Sequence, residues 1–172
     1  VADFFCQILD LNKVPVGSIG TLGIKTGKKF KKSKLTSPDI ISLHRQLSFF
    51  KKLKINNVII EASSHGLHQG RLDGLNIKIA IFTNFSQDHL DYHKNMKHYL
   101  RSKLILISKL LDKNKTVISD SSLPIFRKIT KVTKKRNQKI IDINNYKIFN
   151  ENINTNLIGG FQKKNLLMSL IA

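Results

Sequence analysis

The chain is predicted to fold as α/β, with a mostly parallel sheet flanked by helices. Three observations carry this. Two short apolar runs, Val58–Ile60 and Ile77–Phe82, are rich in β-branched residues and bounded by turn-formers, the pattern of strands buried on both faces. Each stops abruptly in polar residues: Glu61, Ser63, Ser64 and His65 after the first, Thr83, Asn84, Ser86, Asp88 and His89 after the second. A helical stretch, Asn95–Leu111, follows, with Met96, Tyr99, Leu100, Leu104, Ile107 and Leu111 on one apolar stripe. Ligands of open α/β sheets bind beyond the carboxyl ends of strands. Two adjacent strand ends carrying carboxylate, hydroxyl and imidazole groups therefore read as a site.

The remaining elements follow in order. Val1–Leu11 reads as an amphipathic helix with no capping residue before it. Val16–Ile24 reads as a strand whose glycines permit a close crossing or a turn, and Lys25–Lys34 as a polar hairpin or loop. Ser37 is expected to cap a helix with Pro38 at its first position. Leu43, Leu47 and Phe50 give that helix its inner face, and it closes in Lys51–Lys54. Beyond the central stretch, Thr116–Ser119 and Lys139–Ile143 read as strands with a helix, Leu123–Val132, between them. The final helix offers Leu166, Leu167 and Leu170 as its apolar face.

Composition narrows the class. A length of 172 residues suits one domain with a sizeable core, and 41% hydrophobic content is ordinary for a globular chain. No stretch is long and apolar enough to cross a bilayer, and the start lacks a signal-peptide pattern. Cys6 is the single cysteine, which excludes an internal disulfide and fits a reducing compartment. The chain reads as soluble and cytoplasmic. Its formal charge of +19 invites a nucleic-acid partner. Yet the cations are nearly all lysines, spread throughout a chain also rich in asparagine and isoleucine, as a coding bias toward A·T-rich codons produces. The clusters at Lys28–Lys34 and Lys131–Lys139 have few aromatics to stack on bases. They read as solvated faces.

Several residues carry two readings. Lys103 lies on the apolar stripe, one turn from Tyr99 and Ile107; by spacing alone it snorkels to the surface. Burial would instead favour its neutral amine, which carbon dioxide can carbamylate. Glu61 can partner a helix dipole, and Asp88 can cap a helix.

The motifs EASSHGL, R-x-D-G-L, FTN-x-S-x-DHLDYH and Y-x-x-x-K, in that order between Glu61 and Lys103, together resemble the central, ATP-binding domain of the Mur ligases. They are most similar to the ligase that adds the third residue to UDP-N-acetylmuramoyl-L-alanyl-D-glutamate. Folylpolyglutamate and cyanophycin synthetases share the DHLD element, but SSHGL followed by Gln69 and Arg71 fits the muramyl-peptide enzyme better. The resemblance implies a P-loop-type domain, here without its phosphate loop: G-T-x-G-K-S/T would directly precede Val1. It implies that 1–172 is a partial chain, lacking the N-terminal UDP-binding and C-terminal amino-acid-binding domains, and inactive alone.

The same resemblance implies residue roles. Thr36, Ser37, Ser63, Gln69 and Arg71 would hold the muramyl dipeptide, and Asn84 and Asn165 the nucleotide. Glu61, His89 and a carbamylated Lys103 would hold Mg2+, with His89 and Lys103 counted as catalytic. ATP would phosphorylate the D-glutamyl carboxylate, and the amine of the incoming residue, diaminopimelate or lysine, would attack the acyl phosphate. A monomer is expected, without nucleic-acid or membrane partners. Gln87 and Gln162 depart from the family pattern, and Asp91, Tyr92 and His93 are left without chemistry. The alternatives are a catalytically dead Mur-like scaffold and a basic nucleic-acid-binding domain.

Overall fold

A computed structural model describes residues 1–27, 29–146, 157 and 159–172. Lys28 of the predicted loop, and Asn156 and Ile158 at the start of the last motif, lie outside the described residues. Helix α1 (Ala2–Leu11) leads into β1 (Val16–Gly20), β2 (Gly23–Thr26) and β3 (Lys29–Lys31). Next come α2 (Ile40–Lys52), β4 (Asn57–Ile60), α3 (Ser64–His68), β5 (Ile79–Ile81), α4 (Leu90–His93) and α5 (Met96–Ile105). A π turn, Leu106–Leu110, extends α5. Strand β6 (Thr116–Ser119), α6 (Phe126–Lys135), β7 (Lys139–Asp142) and α7 (Gly160–Ile171) complete the order.

The strands form two sheets. One runs β3-β2-β1-β4, with β1 and β4 parallel and the other pairs antiparallel. The other, β5-β6-β7, is parallel throughout. The run predicted as one strand, Val16–Ile24, is thus a hairpin that folds back so that Gly20 faces Gly23. Gly23 has φ +124°, and a Cβ there would lie 2.5 Å from the Lys31 carbonyl oxygen; only glycine makes that turn and that approach together. The two predicted strand ends also differ from expectation. β4 and β5 are edges of separate sheets rather than neighbours in one.

Alternation along the parallel strands sorts the core. Ala80, Val117 and Ile140 face a cluster with Ile19, Leu43, Phe50, Leu100, Ile107, Leu111 and Ile129. Ile79, Ile81, Ile118 and Ile141 face the opposite cluster with Val1, Ile143, Leu167, Met168 and Ile171. This period of two, buried on both sides, is why those strands read as unbroken apolar runs. On α7 the packed residues are Leu167 and Met168, whereas Leu170 is 52% exposed and corrects the predicted apolar face.

Boundaries shift where local chemistry competes. Ser37 does not cap α2. Asp39 does, accepting from the Ser42 N–H at 2.9 Å with extended backbone. The predicted helix Leu123–Val132 is displaced to Phe126–Lys135, after a turn in which Leu123 N–H donates to Asp120 O. The long helix Asn95–Leu111 carries its stripe inward, but in the π turn Leu111 N–H reaches back to Leu106 O. That frees the Ile107 carbonyl of its usual helical donor. Buried Gln138 supplies one, its Nε2 donating to Ile107 O at 2.8 Å and to Leu111 O at 2.7 Å.

At the end of sheet β5-β6-β7 a charged node holds α7. Asp120, 2% exposed, accepts from Lys164 Nζ at 2.6 Å, the Ser122 N–H at 2.7 Å and Asn144 Nδ2 at 2.8 Å. Burial pushes its carboxyl up, but these hydrogen bonds outweigh burial and hold it well below the usual carboxylate range.

Two stability tests follow from these contacts. Gln138→Leu leaves the Ile107 carbonyl without its side-chain donor and Leu111 O with only Arg136 Nη2, at 3.4 Å, and should lower unfolding free energy in urea by about 1–2 kcal/mol. For Asp120 the folded pKa lies below the unfolded one, so its contribution is complete above about pH 4 and is lost as pH falls. Lys164→Met should cost about 1–2 kcal/mol at pH 7, given the partly exposed lysine, and flatten the acid limb of a stability–pH curve.

Candidate active site

The first strand end is built around Ser37 and Ser63. Past β4 the backbone stays extended at Ser63, whose hydroxyl caps α3 by accepting from the Gly66 N–H at 3.0 Å. Ser37, released from capping by Asp39 and fully buried, donates to Glu61 O at 2.8 Å. Its oxygen accepts from the Ser63 N–H at 3.0 Å and lies 3.0 Å from Ser63 Oγ. The approach needs Gly66: a Cβ there would sit 2.7 Å from Ser37 Cβ and 3.0 Å from Ser63 Oγ.

Glu61 extends the group toward the β1–β2 turn, its carboxylate accepting from the Thr21 N–H. A Cβ at Gly20 would lie 2.5 Å from Glu61 Oε2, so the turn closes on the carboxylate because residue 20 is glycine. Thr21 Oγ1 in turn lies 3.0 Å from Thr36 Oγ1. On the other side Arg71 Nη1 donates to Ser37 O at 2.8 Å, while its Nε, at 2.9 Å, and its Nη2 donate to Gln69 Oε1. Thr36, Ser37, Glu61, Ser63, Gln69 and Arg71 thus form one connected set.

The second strand end supplies imidazoles. His89 adopts the left-handed region, φ 54° and ψ 31°, uncommon outside glycine. Asp88 Oδ1 accepts from the His89 N–H at 2.8 Å, and Asp88 Oδ2 lies 3.3 Å from His89 Nε2. Asp88 therefore serves His89 rather than a helix N-terminus. The His89 ring lies 4.9 Å from His65 and 6.1 Å from Tyr99. His93, 4% exposed, places Nε2 2.9 Å from Ser64 Oγ and Nδ1 3.5 Å from Ser102 Oγ. Burial lowers the pKa of both His65 and His93, and neighbouring imidazoles add to it.

Lys103 follows Ser102. Its Nζ lies 5.2 Å from the Tyr99 ring centroid, and among the described residues it makes no hydrogen bond or ion pair. Burial lowers its pKa, opposed by the charge of Asp88. The amine is half-buried on the stripe, where burial works against its charged form. Asn84 is exposed and, among the described residues, accepts only from the Thr83 hydroxyl, at 3.3 Å. Asn165 Nδ2 donates to Gln162 Oε1 at 3.3 Å on α7 and, among the described residues, makes no hydrogen bond to the strand-end groups.

Among the described residues, no three of His, Cys, Asp and Glu converge as a metal-binding group. Glu61, His89 and Lys103 share no direct contact there. As donors, Glu61 would offer carboxylate oxygen and His89 an imidazole nitrogen, and Lys103 would join them only as a carbamate, which would put oxygen donors where the amine puts a cation.

A profile of the Mur ligase middle domain matches residues 1–172. The chain belongs to the Mur ligase family. This Mur ligase chain is 38% identical over 197 residues to a UDP-N-acetylmuramoyl-L-alanyl-D-glutamate–2,6-diaminopimelate ligase of Wigglesworthia glossinidia brevipalpis, with 100% of the chain and 40% of the relative covered. A ligase of the same name from Aquifex aeolicus is 36% identical over 168 residues, covering 87% of the chain and 34% of the relative. The Mur ligase chain therefore spans two fifths or less of these relatives. Among solved structures, a UDP-N-acetylmuramoyl-L-alanyl-D-glutamate–2,6-diaminopimelate ligase superposes with a TM-score of 0.71 at 26% identity, over 82% of the chain and 28% of that structure. The apo form of L. casei FPGS shares the fold, with a TM-score of 0.59 at 11% identity, over 82% of the chain and 41% of that structure.

Sequence reading alone missed Thr21, which engages Glu61 through its backbone, and left Tyr92 and His93 without a role. No side-chain pattern signals a backbone donor, and partners 23 to 40 residues away are not legible as spacing. Gly66→Ala tests the serine pair. Alanine gains about 1 kcal/mol of helix propensity, but the clash with Ser37 and Ser63 costs more. A net loss of about 1–2 kcal/mol is expected, read as a lowered urea midpoint with unchanged m.

Proposed function

We propose that the protein to which these residues belong is an ATP-dependent acid–amino-acid ligase of peptidoglycan precursor synthesis. It adds the third amino acid, diaminopimelate or lysine, to UDP-N-acetylmuramoyl-L-alanyl-D-glutamate. The observation that carries the reading is Lys103: a half-buried amine without a hydrogen-bond partner among the described residues, placed beside Tyr99. Its position matches that of the family's carbamylated lysine. The names of the ligase relatives support the substrate class.

In this reading Arg71, backed by Gln69, pairs with a carboxylate of the muramyl dipeptide, Thr36 and Ser63 line the same end, and Ser37, fully buried, braces them from beneath rather than touching substrate. Arg71 suits that role because its planar guanidinium presents several donors at once. The Arg71 and Ser37 contacts within the protein hold this surface in shape before substrate arrives. Asn84 and Asn165 serve the nucleotide. Mg2+, held by Glu61, His89 and carbamylated Lys103, would neutralise charge on the transferring phosphoryl group. The D-glutamyl carboxylate takes the phosphoryl group from ATP, and the incoming amine displaces phosphate as the amide forms.

The UDP-binding and amino-acid-binding domains are proposed to lie outside residues 1–172. Action as a cytoplasmic monomer, without nucleic-acid or membrane partners, belongs to the same proposal. No helix among the described residues is long and apolar enough to cross a membrane.

The test is ligation by the full-length protein with and without bicarbonate. Stripping carbon dioxide should lower wild-type turnover, and added bicarbonate should restore it. Lys103→Ala should lose about a hundredfold or more of kcat/KM and ignore bicarbonate. Wild-type turnover indifferent to bicarbonate would tell against the carbamate.

A further inference from the structure

The DHLDYH segment ends in two residues, Tyr92 and His93, to which no role attaches from the motif alone. Both sit in or at the end of α4, the short turn directly after His89. His93 is the anchor: buried, it reaches Ser64 on α3 with one ring nitrogen and Ser102 on α5 with the other. Tyr92 faces the dipeptide-binding side. Its ring tilts against His65 at 4.1 Å between centroids, and its hydroxyl lies 2.9 Å from His68 Nδ1. The same hydroxyl accepts from Gln69 Nε2 at 3.0 Å.

The orientation of that amide decides what Gln69 offers Arg71. With Nε2 held by Tyr92, Oε1 is turned toward the guanidinium and accepts from both Nε and Nη2. The remaining nitrogen, Nη1, is held by the Ser37 carbonyl. Each Arg71 nitrogen is therefore engaged, and the guanidinium plane is set by two partners from different elements. Without the tyrosine hydroxyl the amide is held from the Arg71 side alone, and its plane is less firmly set. A flipped amide would present NH2 groups to a cation that needs an acceptor.

We infer that Tyr92 is a positioning residue for substrate recognition: its hydroxyl orients Gln69, and Gln69 sets the Arg71 guanidinium for a substrate carboxylate. The inference rests on the ligase reading above and extends it to a residue that touches neither substrate nor reacting atoms. It also makes α4 a bracket. His89 faces the proposed metal side, while Tyr92, three residues on, steadies the dipeptide side.

The test is Tyr92→Phe in the full-length protein, which removes one oxygen and keeps the ring against His65. Thermal melting should match wild type. KM for the UDP-muramyl dipeptide should rise about two- to tenfold, as loss of one neutral hydrogen bond implies. KM for ATP should not move. In a Gln69→Ala background the tyrosine substitution should add nothing further, because the residue through which it acts is gone.

An unchanged dipeptide KM overturns the inference. So does a rise of equal size in the Gln69→Ala background, and so does an ATP KM that rises in step, which is the mark of general loosening. Wild-type protein that ligates nothing overturns the ligase reading and this inference together. A ligating wild type with an unmoved Tyr92→Phe overturns this inference alone.

Discussion

No ladder hydrogen bond joins the two sheets among the described residues, so their relative placement depends on the apolar core that runs beneath both. Ile19 from the first sheet and Ala80 and Val117 from the second pack with Leu43, Phe50, Leu100, Ile107 and Leu111 in a single cluster. Burial is non-directional and scales with area. It can hold two sheets together, but it does not by itself fix where individual side chains at their ends come to rest. That finer task falls to short hydrogen-bonded ties.

Those ties are largely uncharged. Ser37 joins the end of β4 to the start of α2 through the Glu61 carbonyl and the Ser63 N–H. His93 joins α3 to α5 through two serine hydroxyls. Buried neutral hydrogen bonds avoid the desolvation cost of buried charge, and their directionality supplies what the core lacks. The charges of the site, Glu61, Arg71 and His89, sit at its accessible edge. They remain within reach of an anionic substrate or a cation. Lys103 is intermediate, half-buried beside Tyr99. Burial there works against the free ammonium.

The carboxyl end of β6 is arranged differently. Asp120 and Lys164 form a charge-assisted contact at the carboxyl end of β6, reinforced by Ser122 and Asn144. Here a buried carboxylate is tolerated because several donors share it. The contact ties α7, and with it Asn165, to a parallel strand that the core already holds.

Alternating burial and turn chemistry made the α/β class, β4, β5, β6 and β7, and the helices α1, α2, α5, α6 and α7 legible in the sequence. Each depends on neighbours within a few residues. The family resemblance marked Thr36, Ser37, Ser63, Gln69, Arg71, Glu61, His89 and Lys103, and the structure joins the first six in one network. What the sequence left undecided was long-range. Val16–Ile24 reads as one strand because its break at Thr21 depends on pairing with β3 and on the carboxylate of Glu61. Ser37 reads as a cap because nothing local reveals the Glu61 carbonyl it meets across the fold. Tyr92 and His93 read as unassigned because their partners lie on other elements. Local periodicity determines which elements form. Only tertiary packing decides which distant hydroxyl, amide or imidazole completes a buried hydrogen bond, since that choice depends on where separate elements come to rest.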